Sequence, residues 1–307
     1  MKMKKLVISS SPHIRVKESI PRVMWSVVLA LTPAAIISVY LFGLPALRLI
    51  AVSILAAVIS EALWQKLMGR KITVGDGSAV VAGLLLAFVL PSRLPWWMAA
   101  VGSFFAVVIV KQLFGGLGNN IFNPALAGRA FLLASFPIYM TSWVSPFDAV
   151  SCATPLAIVK ENLSGTMPSL WDLFIGKSAG CLGETSAVAL LIGAVFLFWR
   201  KIITWHIPFT YIGTVTILSW VFGRDPLFSV LAGGLILGAF FMAVDPVTSP
   251  MTAKGQIIFG IGCGIVTVVI RQWGGYPEGV CYSILLMNAL VPLIDRYTKP
   301  RRLGEQK

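Results

Sequence analysis

The sequence predicts an all-α polytopic membrane protein with about ten transmembrane helices, both termini on the cytoplasmic side. Three observations predict it. Of 307 residues, 57% are hydrophobic and only 12% charged, against roughly 25% charged in a soluble domain. The mean hydropathy is +0.85. Apolar runs close to the length that crosses a bilayer recur from residue 23 to residue 295, and most of the 25 Lys/Arg cluster at their ends.

The runs lie near 23–42, 46–65, 77–91, 95–114, 123–141, 184–199, 205–222, 227–244, 255–271 and 278–295. The third and sixth are short, as tilted, re-entrant or broken segments are. The chain divides into a cytoplasmic N-terminal segment (1–22), a membrane part of about five spans (23–141), an extracytoplasmic loop (142–183), a second membrane part of about five spans (184–295) and a basic cytoplasmic tail (296–307). The net charge of +13 sets orientation. The inner side takes the N-terminal cluster, the C-terminal tail, Lys66, Arg70, Lys71, Lys111, Arg200, Lys201 and Lys254. The outer side takes Arg48, Arg93, Arg129, Lys160, Lys177, Arg224 and Arg271, with Arg129 inside a span. The basic residues form no polar face with interleaved aromatics, so nucleic acid is not an expected partner. The first apolar run reads as a retained helix.

Two local echoes raise an internal duplication. Gly75-Asp76-Gly77-Ser78-Ala79-Val80 resembles Gly183-Glu184-Thr185-Ser186-Ala187-Val188, and Phe122-Asn123-Pro124 resembles Val244-Asp245-Pro246. Shared helix-start chemistry explains them about as well.

Charged groups in lipid are costly, so each is a functional candidate. Glu61, Asp76 and Asp245 are the candidates for an ion path; Asp76 and Glu184 also suit helix capping, and Asp245 opens a Pro-rich break to Pro250. Asn119, Asn120 and Asn123 suit a ligand ring or helix ends. Arg129 suits a phosphate, a carboxylate, a partner subunit or snorkelling. Trp96, Trp97, Trp143, Trp171, Trp205 and Trp273 lie near span ends as an aromatic belt does. The four cysteines form no C-x-x-C and there are two histidines, so no metal centre held by this chain alone is expected. No residue is assigned as catalytic.

The stretch most specific for chemistry is Asp148-Ala149-Val150-Ser151-Cys152-Ala153-Thr154-Pro155-Leu156, which reads D-x-x-S-x-A-T. The bland reading is a polar turn before proline. Pro155 disfavours the helical region for Thr154 and keeps it extended. The stretch resembles the site at which a flavin transferase joins FMN through its phosphate to a threonine hydroxyl. That resemblance makes Thr154 the covalent FMN carrier, Ser151, Cys152 and Ala153 the recognised context, and Asp148 the acidic lead residue. The usual motif has Gly where Cys152 stands.

Ser10-Ser11-Pro12-His13-Ile14-Arg15, Met24-Trp25, Leu31-Thr32-Pro33-Ala34, Gly118-Asn119-Asn120-Ile121-Phe122-Asn123-Pro124-Ala125 and Met242-Ala243-Val244-Asp245-Pro246-Val247-Thr248-Ser249-Pro250 look like the D subunit of Rnf complexes. The homologous B subunit of the sodium-pumping NADH:quinone reductase is the nearest alternative, disfavoured by the short chain. The resemblance implies a bacterial or archaeal cytoplasmic-membrane protein that relays electrons between reduced ferredoxin and NAD+, coupled to Na+ or H+ movement. Its partners would be the A, B, C, E and G components of the Rnf complex, a flavin transferase and the lipid bilayer. The ferredoxin and NAD sites would lie elsewhere, and a second, noncovalent flavin (riboflavin) is compatible by analogy with the related reductase. The competing functions are a cofactor-free channel or secondary transporter and an assembly scaffold; neither needs the Asp148 to Thr154 motif.

Overall fold

A computed structural model of the chain describes residues 19–147, 150, 152–161, 167–184 and 186–299. Asp148 and Ser151 of the expected attachment motif lie outside the described residues. Among the described residues the regular structure is helical, with a single isolated bridge between Pro91 and Cys181.

The first apolar run becomes α1 (Ile20–Phe42) and the second α2 (Leu44–Leu67), joined at Gly43, whose φ of 69° makes the tight corner. The third is a half-length helix, α3 (Ser78–Phe88). Then come α4 (Trp96–Phe104), continued by a π-helix over Phe105–Gln112, and α5 (Pro124–Ser135) with the short α6 (Pro137–Met140). The 142–183 segment holds α7 (Pro155–Glu161) and α8 (Leu170–Ile175). The second membrane part comprises α9 (Ala187–Trp199), α10 (His206–Val221), α11 (Pro226–Leu231), α12 (Leu235–Leu237) with a second π-helix over Gly238–Met242, α13 (Ala253–Trp273) and α14 (Val280–Thr298). Every expected run therefore coincides with helix. Among the described residues four helices, α1, α2, α13 and α14, are long and apolar enough to cross a membrane by themselves. The others are shorter or broken, so a count of ten complete spans is not what the helices display.

Helix packing uses small residues for close approach. A Cβ on Gly83 of α3 would meet the Ser53 carbonyl oxygen of α2 at 2.7 Å. Gly260 and Gly264, four apart on α13, face Thr210 and Thr214 of α10. In lipid, such close van der Waals contact is a main source of helix association. Between α10, α13 and α14, Tyr211 Oη lies 2.7 Å from Thr267 Oγ1 and 2.9 Å from Ser283 Oγ, a fully buried hydroxyl triad that ties the three helices.

Broken helices leave carbonyls open at depth, where lipid offers no partner. At the end of α3 the Phe88 and Leu90 carbonyls accept from the amides of Gly183 (2.8 Å) and Leu182 (3.2 Å), and the Val89 carbonyl accepts from Arg129. The back of the expected external loop, residues 181–183, is thus buried in the core rather than exposed. Gly183 is required there because a Cβ would collide with the Phe88 side chain.

Candidate functional site

Thr154 is the N-cap of α7: its Oγ1 accepts from the Ala157 amide at 3.2 Å. Capping draws the hydroxyl down onto the helix and leaves Thr154 only 4% exposed. Cys152, two residues earlier, is exposed, and partial desolvation against the chain pushes its thiol pKa up. Thr154 borders a small cavity of about 10 Å³ shared with Leu173, Glu184, Gly233 and Glu278. Leu156 also lines a larger one of about 410 Å³ with Val159, Arg224 and Arg271.

Two side chains hold α7 and its surroundings. Lys160 Nζ donates to the carbonyls of Ile270 (3.2 Å), Gly274 and Tyr276 (3.2 Å), clamping α7 to the open end of α13. Burial first, and then the Arg224 charge, lowers its pKa from the ordinary lysine value. Arg271 is 6% exposed and donates to the carbonyls of Ser229 (2.5 Å), Ala232 (3.0 Å) and Glu278 (3.0 Å). It closes the end of α11 as Arg129 closes the end of α3.

Arg129 also pairs with Glu278 and lies 2.9 Å from Cys181 Sγ. Of the readings left open for it, a carboxylate partner is the one realised. Cys181, Glu184 and Glu278 offer ligand atoms within 4.8 Å of one another, but the guanidinium already fills the role of counter-ion there.

A second buried charge cluster surrounds Glu61, which is 1% exposed. Lys111 Nζ lies 2.9 Å and 3.0 Å from its two carboxylate oxygens, and Gln112 Nε2 donates to Oε1 at 2.6 Å. Lys111, expected among the inner-side loop cations, is instead 2% exposed on the first π-helix. Its ammonium also contacts Ser78 Oγ at 2.6 Å, and Ser78 Oγ donates to Asp76 at 2.6 Å. Asp76 meets the Ser78 amide at 2.8 Å, as a capping residue does.

Lys111 and Ser78 line a cavity of about 720 Å³ with Asn120, Asn123, Asp245 and Arg200. The two π-helices both end beside it. Asn123 caps α5 by accepting from the Ala125 and Leu126 amides, and donates to the Met242 carbonyl at the end of the second π-helix. The Asn123-Pro124 and Asp245-Pro246 echoes therefore meet across one cavity. Asp245 accepts from the Val247 amide and the Thr248 hydroxyl. Sequence reasoning missed the parts played by Lys111, Glu278, Arg271, Cys181 and Lys160. Lys111 alone carried a signal, a cation within an apolar run.

Among the described residues, these features define a polytopic helical membrane protein with broken helices, one buried and one partly buried ion pair, and a large polar-rimmed cavity. A profile of the NQR2, RnfD, RnfE family matches residues 7–304, and the chain belongs to that family. It is 54% identical to the D subunit of the Na(+)-translocating ferredoxin:NAD(+) oxidoreductase complex of Acetobacterium woodii, over 98% of this chain and 96% of that protein. It is 50% identical to the D subunit of the proton-translocating ferredoxin:NAD(+) oxidoreductase complex of Clostridium ljungdahlii, with the same coverage. The D subunit of the ion-translocating oxidoreductase complex of Escherichia coli O139:H28 is 38% identical over 98% of this chain and 99% of that protein.

Proposed function

We propose that this chain is the D subunit of an ion-translocating ferredoxin:NAD+ oxidoreductase of the Rnf type, and that it relays electrons through an FMN held in phosphoester linkage at Thr154. The observation that carries the flavin reading is the hydroxyl of Thr154 at the end of D-x-x-S-x-A-T: it accepts one amide and donates to no partner among the described residues. Esterification by the transferase would form the Thr154 oxygen–phosphorus bond as the pyrophosphate bond of a flavin dinucleotide donor breaks, with the nucleoside monophosphate leaving and the hydroxyl proton, which no partner here holds, released. Opening the cap costs about 1 kcal/mol, small against what a transferase gains on binding its segment. The residues that would hold the group are Thr154 itself and the neighbouring Leu156, Val159, Arg224 and Arg271. FMN would supply stepwise electron transfer, which the protein tunes through contacts to it.

A second, noncovalent flavin has room in the 720 Å³ cavity beside Asn120 and Asn123. The proposed setting is a cytoplasmic membrane with the flavin-bearing segment on the outer face and both termini inside. Dropping the buried Lys111, Arg129 and Arg271 from the loop cations leaves that bias intact. The other Rnf subunits and a flavin transferase are the proposed partners. Relatives 54% and 50% identical are named for different ions, Na+ and protons, so family membership alone does not choose the ion.

The test is in-gel flavin fluorescence of the chain co-expressed with a flavin transferase. A fluorescent wild-type band absent from Thr154→Ala is expected. A dark wild-type band, with the transferase active on a control protein, overturns the tethered-flavin reading.

A further inference from the structure

We propose that Arg224 is the cation that faces the ring of the tethered flavin, in the cavity of about 410 Å³ beside α7, and raises the potential at which that ring is reduced. The role deepens the flavin reading at Thr154 and rests on it.

The cavity lies one wall away from the tether. Leu156 lines both this cavity and the small one that Thr154 borders. Two residues of backbone, at most about 7 Å, separate Leu156 from Thr154, and the five-carbon chain of FMN carries its ring away from its phosphate. Leu156, Val159, Phe222, Phe228 and Val268 give the cavity largely apolar walls, and its volume falls among small-molecule sites of roughly 300–1,000 Å³.

The cations near this cavity are not equivalent. Arg271 spends its donors on the carbonyls of Ser229, Ala232 and Glu278. Lys160 spends its own on those of Ile270, Gly274 and Tyr276. Arg224 lines the cavity half-buried, and its guanidinium makes no hydrogen bond or ion pair among the described residues. It stands close enough to Lys160 for the like charge to lower the lysine's pKa. The neighbouring carboxylates, Glu161 and Asp225, are exposed to water, and Asp225 is engaged as the cap of α11.

Local structure fixes this display. Gly223, with φ of 70°, turns the chain after α10, and Asp225 opens α11 directly behind. The Arg224 amide donates to the Ser219 carbonyl at 2.9 Å. The backbone is therefore held at both sides while the side chain keeps its five donors for a ligand.

Apolar walls let a charge act with less screening than in water. A flavin that takes up two electrons, from ferredoxin by way of the proposed complex, and one proton from solvent carries one more negative charge than before. Arg224 attracts that added charge and has no such hold on the neutral oxidised ring, so it favours reduction.

The experiment uses the full chain co-expressed with a flavin transferase and solubilised in detergent. Flavin absorbance is followed in a mediated redox titration at fixed pH and low salt, and T154A supplies the background of any untethered flavin. Wild type, R224M, R224Q, R224K and K177M are compared; Lys177 is an exposed cation of the same outer segment that does not line the cavity. R224M and R224Q are expected to shift the reduction equilibrium about tenfold toward the oxidised form, a midpoint about 30 mV lower for a two-electron couple. R224K and K177M are expected to stay within about threefold of wild type, or about 15 mV. A wild-type midpoint in flavin-carrying R224M or R224Q overturns the role of Arg224 and leaves the tether standing. An equal shift in K177M overturns it too, because the effect would then be one of overall charge. Loss of flavin from both neutral variants, with folding intact, assigns Arg224 to attachment instead and overturns its role at the ring. A wild-type chain without the flavin that T154A removes overturns the tether itself, and the role of Arg224 with it.

Discussion

Arg129 on α5 and Glu278 ahead of α14 form an ion pair inside the bundle, and the same guanidinium closes the Val89 carbonyl at the open end of α3. One side chain thus neutralises a partly buried charge and finishes a broken helix. Removing it leaves the partly buried Glu278 uncompensated, at a cost below the roughly 3–5 kcal/mol of a fully buried pair. R129M is expected to lower the unfolding temperature of the detergent-solubilised protein sharply, and R129M/E278Q to recover at least half of the loss. No recovery in the double variant would show that capping of α3, and not the ion pair, dominates.

The cap at Thr154 can be separated from the flavin. T154A should destabilise α7 by about 1 kcal/mol, seen as faster hydrogen exchange at the Ala157 amide that the hydroxyl now holds. The effect should appear without any transferase present. Unchanged exchange at Ala157 would remove the capping role.

Cys152 is the exposed cysteine, while Cys181, Cys263 and Cys281 are buried. A maleimide should label the folded protein at Cys152, and C152S should abolish the labelling. Because desolvation raises the thiol's pKa, the thiolate fraction at neutral pH is smaller than in a free cysteine. Labelling should therefore be slower than for free cysteine at pH 7 and keep rising with pH beyond about 9. A rate already at its plateau near neutral pH contradicts the shift.

C152G restores the usual attachment motif. The Cys152 side chain is at the surface, so flavin yield should stay within about twofold of wild type. A much larger yield would show that cysteine at this position hinders the transferase.

Gly183 packs its backbone on Phe88 and donates to the Phe88 carbonyl at 2.8 Å. Adding a methyl group forces the ring or the strand-like pair apart, at about 1–3 kcal/mol. G183A should lower the unfolding temperature, whereas G213A, with nothing near its would-be Cβ, should not. Equal effects would refute the close-packing account.

The helical positions were legible because lipid imposes a simple rule. A chain that must satisfy its own backbone in an apolar solvent writes its helices as apolar runs, and each run became helix. The short third and sixth runs became the short helices α3 and α9. The eighth did not look broken, yet within it α11 and α12 are separated by a turn at Gly233 and Gly234, both with positive φ. Apolar composition is the same on either side of such a break, so hydropathy passes over it.

The sequence by itself determined the helical membrane class, the segment boundaries to a few residues, the family, and the Thr154 motif, because each is written in contiguous residues. Only the tertiary structure decided which charges are partners. Glu61 takes Lys111, fifty residues on, though Lys66 stands a turn away; Arg129 takes Glu278 from the other half of the chain. Burial makes an isolated charge so costly that every cation must find a carboxylate or an open carbonyl, and which one lies in reach depends on how the helices pack, which no local stretch of sequence records.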